Sequence, residues 1–383
     1  MDRQEMKQKK MMGAILPGNS TVELREFDMP KPGHGQVVVK AMATTICGSD
    51  IRCIYREHVG KGPEGYIPGT VAGHEPCGLI VEEGEGLKRF KKGDRVIIYH
   101  ISGCGVCNDC RRGYYISCKS KFRQAYGWQR NGGMAQYILA DEKDLIALPD
   151  ELTYKDGAQV ACGFGTVYEA IEKVGVSGND AVLVTGLGPV GLATLMLAKA
   201  LGANMLIGVE ANPYRIELAK KMGLADYVFA PDEAYDQIMK VTNGNGVERA
   251  FDASASDPGR QLAIRATREW GRIAFVGEGG TCTFNPSPDI IHGQKTILRQ
   301  LGNLAVENGR TGRKTGALGN SSGRSDHGRI PSGAGRGSLQ TDGKWKLWQG
   351  GSGISRRLRE ERLSYGRNHR TEPDPKADSG GRI

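Results

Sequence analysis

The stretch Ala181-Val-Leu-Val-Thr-Gly-Leu-Gly-Pro-Val-Gly191 decides the fold of the middle of this 383-residue chain. Its first five residues are apolar or β-branched and predict a buried strand, whereas the residues from Val190 onwards predict a helix. The glycines of Gly186-x-Gly188-x-x-Gly191 let the backbone and the N-terminus of that helix approach a pyrophosphate. The motif alone is weak evidence, because a glycine-rich turn looks the same. Its place between a strand and a helix favours dinucleotide binding.

The residues after this motif repeat the alternation of strand and helix. Further strands are predicted at 205–209, 227–229, 246–252 and 272–276, with a helix at 213–222 between the first two. This spacing predicts βαβ units and a parallel sheet over residues 153–297.

An acidic residue follows the second strand of this series. Glu210 lies 19 residues beyond Gly191, where a carboxylate can accept hydrogen bonds from the ribose hydroxyls of adenosine. Because a carboxylate would repel a 2′-phosphate, the sequence favours NAD over NADP. We expect the coenzyme to contact Thr166, Gly186, Gly188, Pro189, Val190, Gly191, Glu210 and Arg215.

The segments on either side differ in character. Residues 1–152 contain short β-rich segments separated by turns and predict an irregular, partly antiparallel β domain. From residue 298 to 383 neither a period of 2 nor one of 3.6 persists, and Gly, Ser and Arg dominate. That composition is typical of a disordered tail.

Charge and hydropathy exclude several classes of function. The net charge is +9, but residues 299–383 hold 17 Lys and Arg against 8 Asp and Glu, so residues 1–298 are neutral. A folded basic surface for nucleic acid is therefore not indicated. No run of 18 apolar residues predicts a membrane span, and no apolar segment follows the charged N-terminus as in a secretory signal. We expect a cytoplasmic protein.

Four of the nine cysteines lie within fifteen residues. This cysteine quartet consists of Cys104, Cys107, Cys110 and Cys118. Thiolates at this spacing can close tetrahedrally around one Zn²⁺ and leave no position for water, which is typical of a structural site. The alternative is a reduced cysteine-rich loop without metal. Cys53, Cys77 and Cys282 are expected to be plain buried thiols.

A second set of metal-ligating residues is dispersed along the chain. It comprises Cys47-Gly-Ser49-Asp50, Gly73-His74-Glu75 and Cys162. Each is unremarkable alone, and a single histidine is more often structural than a ligand. Together they can supply two thiolates and an imidazole, the ligand set of a catalytic zinc with an open fourth position. An alcohol bound at such a cation would lose its proton near neutral pH and could then pass a hydride to nicotinamide.

These motifs resemble one known family. Cys47-Gly-Ser-Asp, Gly73-His-Glu, the cysteine quartet and Gly186-x-Gly-x-x-Gly occur in the order seen in zinc-containing medium-chain dehydrogenases, which residues 12–297 resemble. The resemblance implies a GroES-like catalytic domain, residues 1–152, and a Rossmann coenzyme domain, residues 153–297. It also implies an active-site zinc in the cleft between the two domains.

The resemblance also implies a role for each matching residue. The ligands of the catalytic zinc would be Cys47, His74 and Cys162. Glu75 would be the neighbouring carboxylate that can approach the metal, Ser49 the hydroxyl that takes the substrate proton, and Asp50 the group that orients His74. Several relatives have a proton-relay histidine near Arg52, which cannot shuttle protons near neutral pH. Proton release through water, with a solvated Arg52, is favoured over an Arg52 that attracts an anionic substrate.

The resemblance stops near residue 297. Codons for 298–309 and 330–353 can be chosen so that one shifted frame reads a helix, a Gly-rich turn and a hydrophobic strand similar to the family's C-terminal segment. We therefore hypothesise a frameshift near codons 295–298, the rival being a genuine basic tail that binds an acidic partner. Without the family's C-terminus, we expect an open, aggregation-prone edge on the coenzyme sheet, and a homo-oligomer only if the native C-terminus is present.

The sequence thus predicts an enzyme with two zinc ions and NAD that oxidises an alcohol or polyol. The alternative is an inactive, truncated remnant that retains zinc or nucleotide binding. Nucleic-acid binding through the tail is a third, less favoured hypothesis.

Overall fold

A computed structural model describes residues 10–56, 65–300 and 338–340 of the chain. Within them, the prediction of a β-rich part followed by an α/β part with a parallel sheet is confirmed.

The first part consists of short antiparallel strands. In chain order they are β1 (Lys10–Gly18), β2 (Thr21–Asp28), β3 (Gln36–Thr45), β4 (Glu75–Glu83), β5 (Arg95–Ile98), β6 (Ile101–Ser102), β7 (Gln124–Ala125), β8 (Tyr137–Asp141) and β9 (Leu145–Ala147). The main sheet has the order β3-β4-β5-β9, and β8 pairs with the other edge of β3. β1 pairs with β2, and β6 with β7. The loop from β6 to β7 carries the short helix α1 (Asn108–Arg111).

A helical segment connects the two parts. It comprises α2 (Tyr154–Gln159), a π-helical turn (Val160–Phe164) and α3 (Gly165–Val174). A capping box starts α2, because the Thr153 hydroxyl and the Asp156 carboxylate satisfy each other's backbone N–H groups. The buried side chain of Ala158 packs with Ala43 of β3 in a cluster that continues into the coenzyme sheet. This segment therefore makes the packing of the two parts continuous.

The second part is a doubly wound sheet. Its strands are β10 (Ala181–Thr185), β11 (Met205–Val209), β12 (Tyr227–Phe229), β13 (Val247–Asp252), β14 (Thr267–Phe275) and β15 (Thr296–Arg299). Its helices are α4 (Pro189–Ala200), α5 (Pro213–Met222), α6 (Pro231–Val241) and α7 (Asp257–Arg265). The strand order β12-β11-β10-β13-β14-β15, parallel throughout, is that of a dinucleotide-binding Rossmann sheet.

Both faces of this sheet are covered. Val182 and Val184 of β10 pack into the cluster on one face, and Leu183 packs into the cluster on the other. Because successive side chains of a strand point to opposite faces, a strand covered on both sides reads as a continuous apolar run. The apolar run 181–184 therefore marks the centre of the sheet.

The predicted tail, residues 298–383, and the hypothesised frameshift lie almost wholly outside the described residues. Two short described pieces correct the expectation. β15 continues through Arg299, so the coenzyme sheet is not cut short at residue 297. β16 (Ser338–Gln340) pairs antiparallel with β3, whose end beyond β8 offers unpaired backbone groups. Among the described residues no strand pairs with the outer edge of β15, and the predicted aggregation stays a prediction.

Candidate active site and metal centres

The two parts of the chain enclose a cleft. Its cavity of about 650 Å³ is lined by Cys47 and His74 from the first part and by Gly188 and Glu210 from the second, with Cys162 of the connecting π-helical turn. The cleft lies beyond the carboxyl ends of β10 and β13, where doubly wound sheets bind ligands.

The structure brings together four of the dispersed residues that the sequence singled out. One ligand atom from each of Cys47, His74, Glu75 and Cys162 lies within 4.8 Å of the others. Cys47 follows the end of β3, and His74 and Glu75 stand at the start of the neighbouring strand β4. Because β3 and β4 are paired, residues 28 positions apart in sequence meet at one edge of the sheet. Cys162 completes the group from a π-helical turn, a feature that often occurs at functional sites.

Asp50 holds two of these residues in place. Its Oδ1 lies 2.9 Å from His74 Nδ1, and its Oδ2 accepts a 2.8 Å hydrogen bond from the backbone N–H of Cys47. Burial acts to lower the pKa of His74, but the fully buried Asp50 carboxylate outweighs it and raises that pKa well above its ordinary value. The bond to Nδ1 leaves Nε2 as the nitrogen for a metal, as expected of a carboxylate that orients a ligand.

Glu75 is a fully buried carboxylate beside the three other ligands. Its Oε2 accepts a hydrogen bond from the hydroxyl of Thr45, the last residue of β3. A buried carboxylate is retained where a cation or hydrogen-bond donors compensate its charge. Together, two thiolates, an imidazole and this carboxylate fit a zinc ion.

The cysteine quartet forms a second cluster in the lobe between β6 and β7. All four sulfurs lie within 4.8 Å of one another, and the pairs Cys104–Cys110 and Cys107–Cys118 are each 3.9 Å apart. Tetrahedral zinc with Zn–S bonds of about 2.3 Å requires sulfurs about 3.8 Å apart, so the quartet fits the ion. Backbone N–H groups of Val106 and Cys107 lower the pKa of Cys104 to about 6, which favours a thiolate. Burial raises the pKa of Cys110 to about 12.

The remaining cysteines only partly match the prediction. Cys77 is fully buried, and burial raises its pKa. Cys53, in the π-helical segment Asp50–Arg56, and Cys282, in the loop after β14, are only half-buried.

The glycine-rich loop has the geometry that the motif requires. Gly186 has φ +84°, a left-handed conformation that disfavours side chains. A Cβ on Gly191 would lie 1.9 Å from the carbonyl oxygen of Gly186, so only glycine lets α4 begin this close to the loop. Gly188 caps α4, whose first residues, Pro189 and Val190, line the cleft. The helix N-terminus therefore faces the cavity and favours an anionic group there.

Glu210 is tied to this loop. Its Oε2 accepts a 2.8 Å hydrogen bond from the backbone N–H of Leu187, and its Oε1 accepts one of 2.9 Å from Asn212. Arg215 lies 3.4 Å from Oε2 and shares its side of the cleft. Thr166, at the start of α3, also lines the cavity. All eight residues expected to contact the coenzyme thus surround one groove or support its loop.

Two further predicted residues lie at the catalytic end of the cleft. Ser49 lines the cavity beside Cys47. Arg52, expected to be solvated, instead forms an ion pair of 2.8 Å with Glu278, which follows β14 in the other part of the chain. The sequence could not reveal this pair, because its partners are 226 positions apart.

Comparison with known proteins agrees with this architecture. The family model "Alcohol dehydrogenase GroES-like domain" matches residues 33–150, and the model "Zinc-binding dehydrogenase" matches residues 189–308. An uncharacterized zinc-type alcohol dehydrogenase-like protein of Escherichia coli, YphC, is 49% identical over 294 residues, which are 76% of this chain and 83% of that protein. The chain belongs to the zinc-containing medium-chain dehydrogenase family.

Two further proteins that the chain resembles are less similar in sequence than YphC. Sorbitol dehydrogenase of Bacillus subtilis is 30% identical over 270 residues, covering 70% of this chain and 75% of that protein. The crystal structure of 2R,3R-butanediol dehydrogenase from the same species superposes with a TM-score of 0.71 at 26% identity, covering 80% of this chain and 88% of that one.

As a medium-chain dehydrogenase, the chain is an oxidoreductase of alcohols that uses zinc and a nicotinamide coenzyme. The predictions of family, fold, enzyme class and cofactors are confirmed. Within the part of the chain that the structure describes, no helix is long and apolar enough to cross a membrane.

Several residues of the cleft escaped the sequence analysis. The catalytic half also contains His100, Arg123, Trp128 and Gln129, which come from loops without a recognisable motif. His100 is buried, and burial, followed by the charge of His74, lowers its pKa to about 3. In the coenzyme half, Ser254 follows β13 and Glu278 follows β14. The rule that ligands bind beyond the carboxyl ends of parallel strands could have found these two.

Proposed function

We propose that this medium-chain dehydrogenase oxidises an alcohol or polyol with NAD in preference to NADP, with catalytic zinc held by Cys47, His74 and Cys162. The convergence of these ligand atoms beside a dinucleotide groove carries the proposal. We further propose residues 1–152 as the catalytic domain and 153–297 as the coenzyme domain. Nucleic acid has no role in this proposal, and a homo-oligomer is proposed only with the native C-terminal sequence.

When bound, zinc supplies Lewis acidity and nicotinamide supplies a hydride acceptor. The residues of the chain orient the metal ligands and carry the substrate proton away. Asp50 orients the His74 imidazole and tethers the backbone of Cys47, so that two ligands keep one geometry. Glu75 has a carboxylate oxygen within 4.8 Å of the ligand atoms of Cys47, His74 and Cys162, so it would be a further oxygen ligand within reach of a bound zinc. Ser49 lines the cavity next to Cys47, and we assign its hydroxyl to accept the substrate proton.

From Ser49 the proton passes to water. Arg52 keeps its proton at neutral pH and is paired with Glu278, so it does not serve as a relay. The walls of the cavity come from both parts of the chain, so the proposed metal ligands and the dinucleotide groove face the same space.

The preference for NAD rests on Glu210. Its carboxylate is held by two backbone N–H groups, so it cannot turn away from an adenosine ribose. A like-charge contact with a 2′-phosphate at about 4 Å costs on the order of 1 to 4 kcal/mol. Glu210→Gln keeps the side-chain shape, and we expect it to lower the ratio of kcat/KM for NAD over NADP by roughly tenfold or more. An unchanged ratio would contradict this part of the proposal.

The function itself is tested with the zinc-loaded full chain, a panel of primary, secondary and polyhydric alcohols, and absorbance of NADH. We expect turnover with at least one alcohol. Cys47→Ser should abolish it while one zinc remains per chain, and Cys53→Ser, a half-buried thiol outside both clusters, serves as the matched control. A chain with two zinc ions that binds NAD and oxidises none of these alcohols would support the inactive remnant instead.

A further inference from the structure

The catalytic half of the cleft carries an unusual balance of charge. Among the residues that the structure describes, and apart from the metal ligands and the residues that support them, the ionised side chains that line it are Arg52, Arg123 and Glu278. Arg215 and Glu210 form their own pair in the coenzyme half. Within this described lining, the charges of the catalytic half are therefore two guanidinium groups and one carboxylate.

One of the two guanidinium groups is already compensated. Arg52 forms an ion pair of 2.8 Å with the Glu278 carboxylate and also donates a hydrogen bond to the Glu278 carbonyl. Its charge and much of its donor capacity are used in joining the two sides of the cleft. Arg52 is therefore poorly suited to binding a substrate anion.

Arg123 is different. Its Nε donates a 3.3 Å hydrogen bond to the carbonyl of Ile116, which anchors the side chain to the lobe of the cysteine quartet. Among residues 10–56 and 65–300, no carboxylate lies within ion-pair distance of Arg123, and its two terminal nitrogens donate no hydrogen bond. Arg123 is half-buried and lines the cavity. A planar fork with both terminal nitrogens available matches a carboxylate or a phosphate.

Arg123 lines the same cavity as the proposed zinc ligands Cys47, His74 and Cys162. His100 also lines this cavity, and its ring centroid is 5.6 Å from that of His74. A small substrate can therefore place a hydroxyl at the metal centre and a second group at Arg123.

We propose that Arg123 selects a hydroxylated substrate with an anionic end group, a carboxylate or a phosphate, over a neutral alcohol. The inference rests on the proposed function, since it names the substrate class of the same site. The overall reaction is unchanged: a C–H hydride passes to NAD, the hydroxyl proton is released, and the anionic group takes no part in bond changes.

Two other roles for Arg123 make different predictions. A solvated arginine at the rim would not distinguish anionic from neutral substrates. A counter-charge for the thiolates and carboxylates of the metal centre would affect zinc binding and the oxidation of every alcohol alike.

The test compares three probes on the zinc-loaded full chain: sorbitol, sorbitol 6-phosphate and gluconate. We expect one of the two anions to exceed sorbitol in kcat/KM, and the better anion identifies phosphate or carboxylate as the end group. Arg123→Gln should lower the ratio of anion to sorbitol kcat/KM by about tenfold to a hundredfold, mainly through KM. Arg123→Lys should restore part of this ratio, because it returns the charge without the fork. Arg25→Gln, which removes a charge on exposed β2, is the matched control.

A preference for sorbitol in the unsubstituted enzyme, or an equal loss with all three probes in Arg123→Gln, would overturn the proposal. The proposed function is judged by the alcohol panel above, and a binding measurement decides the inference separately, whether or not these three probes are oxidised. Inorganic phosphate and acetate are titrated while the intrinsic tryptophan fluorescence is followed, to which Trp128 in the same cavity contributes as one of four tryptophans. Saturable binding of either anion that Arg123→Gln weakens about tenfold supports the site, and binding unaffected by this substitution overturns it.

Discussion

Replacing Asp50 by asparagine changes one side chain that two ligand-bearing residues share. The Asp50 carboxylate is fully buried and accepts from His74 Nδ1 at 2.9 Å and from the Cys47 backbone N–H at 2.8 Å. An asparagine amide has one acceptor and one donor end. If its oxygen faces Cys47, its NH₂ faces Nδ1 and forces the ring proton onto Nε2, the nitrogen needed for zinc. If its oxygen faces His74, two donors oppose each other at Cys47.

Either orientation loses one charge-assisted hydrogen bond, which is worth about 1.5 to 3 kcal/mol. Loss of a group that orients a metal ligand typically lowers metal affinity by about 10- to 100-fold, or roughly 1.4 to 2.7 kcal/mol. We therefore expect Asp50→Asn to weaken the catalytic zinc by this amount and to leave the quartet's zinc unchanged.

The assay is a competition between the two-zinc full chain and a chromogenic chelator, which resolves a weak and a strong site. Asp156→Asn is the matched control, because Asp156 is also buried but accepts from Thr153 at the start of α2, away from the metal ligands. It should lower stability without changing zinc affinity. Equal affinity of the weaker site in Asp50→Asn and the unsubstituted chain would refute the assigned role of Asp50.

Three further outcomes follow from the structure. Gly191→Ala would place a Cβ 1.9 Å from the Gly186 carbonyl oxygen, so calorimetric NAD affinity should fall about tenfold or more. Asp141 forms an ion pair of 2.7 Å with Arg130. Burial acts to raise the pKa of the Asp141 carboxyl, but the positive charge of Arg130 outweighs burial and lowers that pKa. Asp141→Asn should therefore cost about 2 kcal/mol in urea unfolding at pH 7, and the difference should vanish as pH falls below about 4 towards the folded-state pKa. Cys118→Ser should leave one zinc per chain by native mass spectrometry and lower the melting temperature of the lobe, whereas retention of both ions would contradict a closed four-sulfur site.

Short-range sequence patterns predicted the coenzyme sheet, its glycine-rich loop and the cysteine quartet. The glycine motif, the quartet and the alternation of strand and helix are local, so each predicted an element or site from a few adjacent residues. The dispersed residues Cys47, His74 and Cys162 have the right chemistry for a catalytic zinc, but the resemblance was needed to assign each its role, because no local rule joins residues that far apart. The structure brings them together through the pairing of β3 with β4 and a π-helical turn.

The sequence offered no signal where no local pattern operates. Nothing in it indicated that Glu278 pairs with the partly exposed Arg52 from across the cleft. Nor did it indicate β15, which runs to Arg299 through backbone pairing with β14. The hypothesis of a frameshift beyond this strand stays a prediction, which nucleotide sequencing across codons 285–305 tests.

By itself the sequence determined the parallel sheet, its nucleotide loop and a four-sulfur metal lobe, because backbone periodicity, glycine stereochemistry and ligand spacing act within a few residues. Only the tertiary structure decided which charges are compensated. It pairs Arg52 with Glu278, ties Glu210 to its loop and leaves the terminal nitrogens of Arg123 facing no carboxylate among the described residues. Electrostatic compensation depends on distance in space, and distance in space follows from the packing of elements remote in sequence.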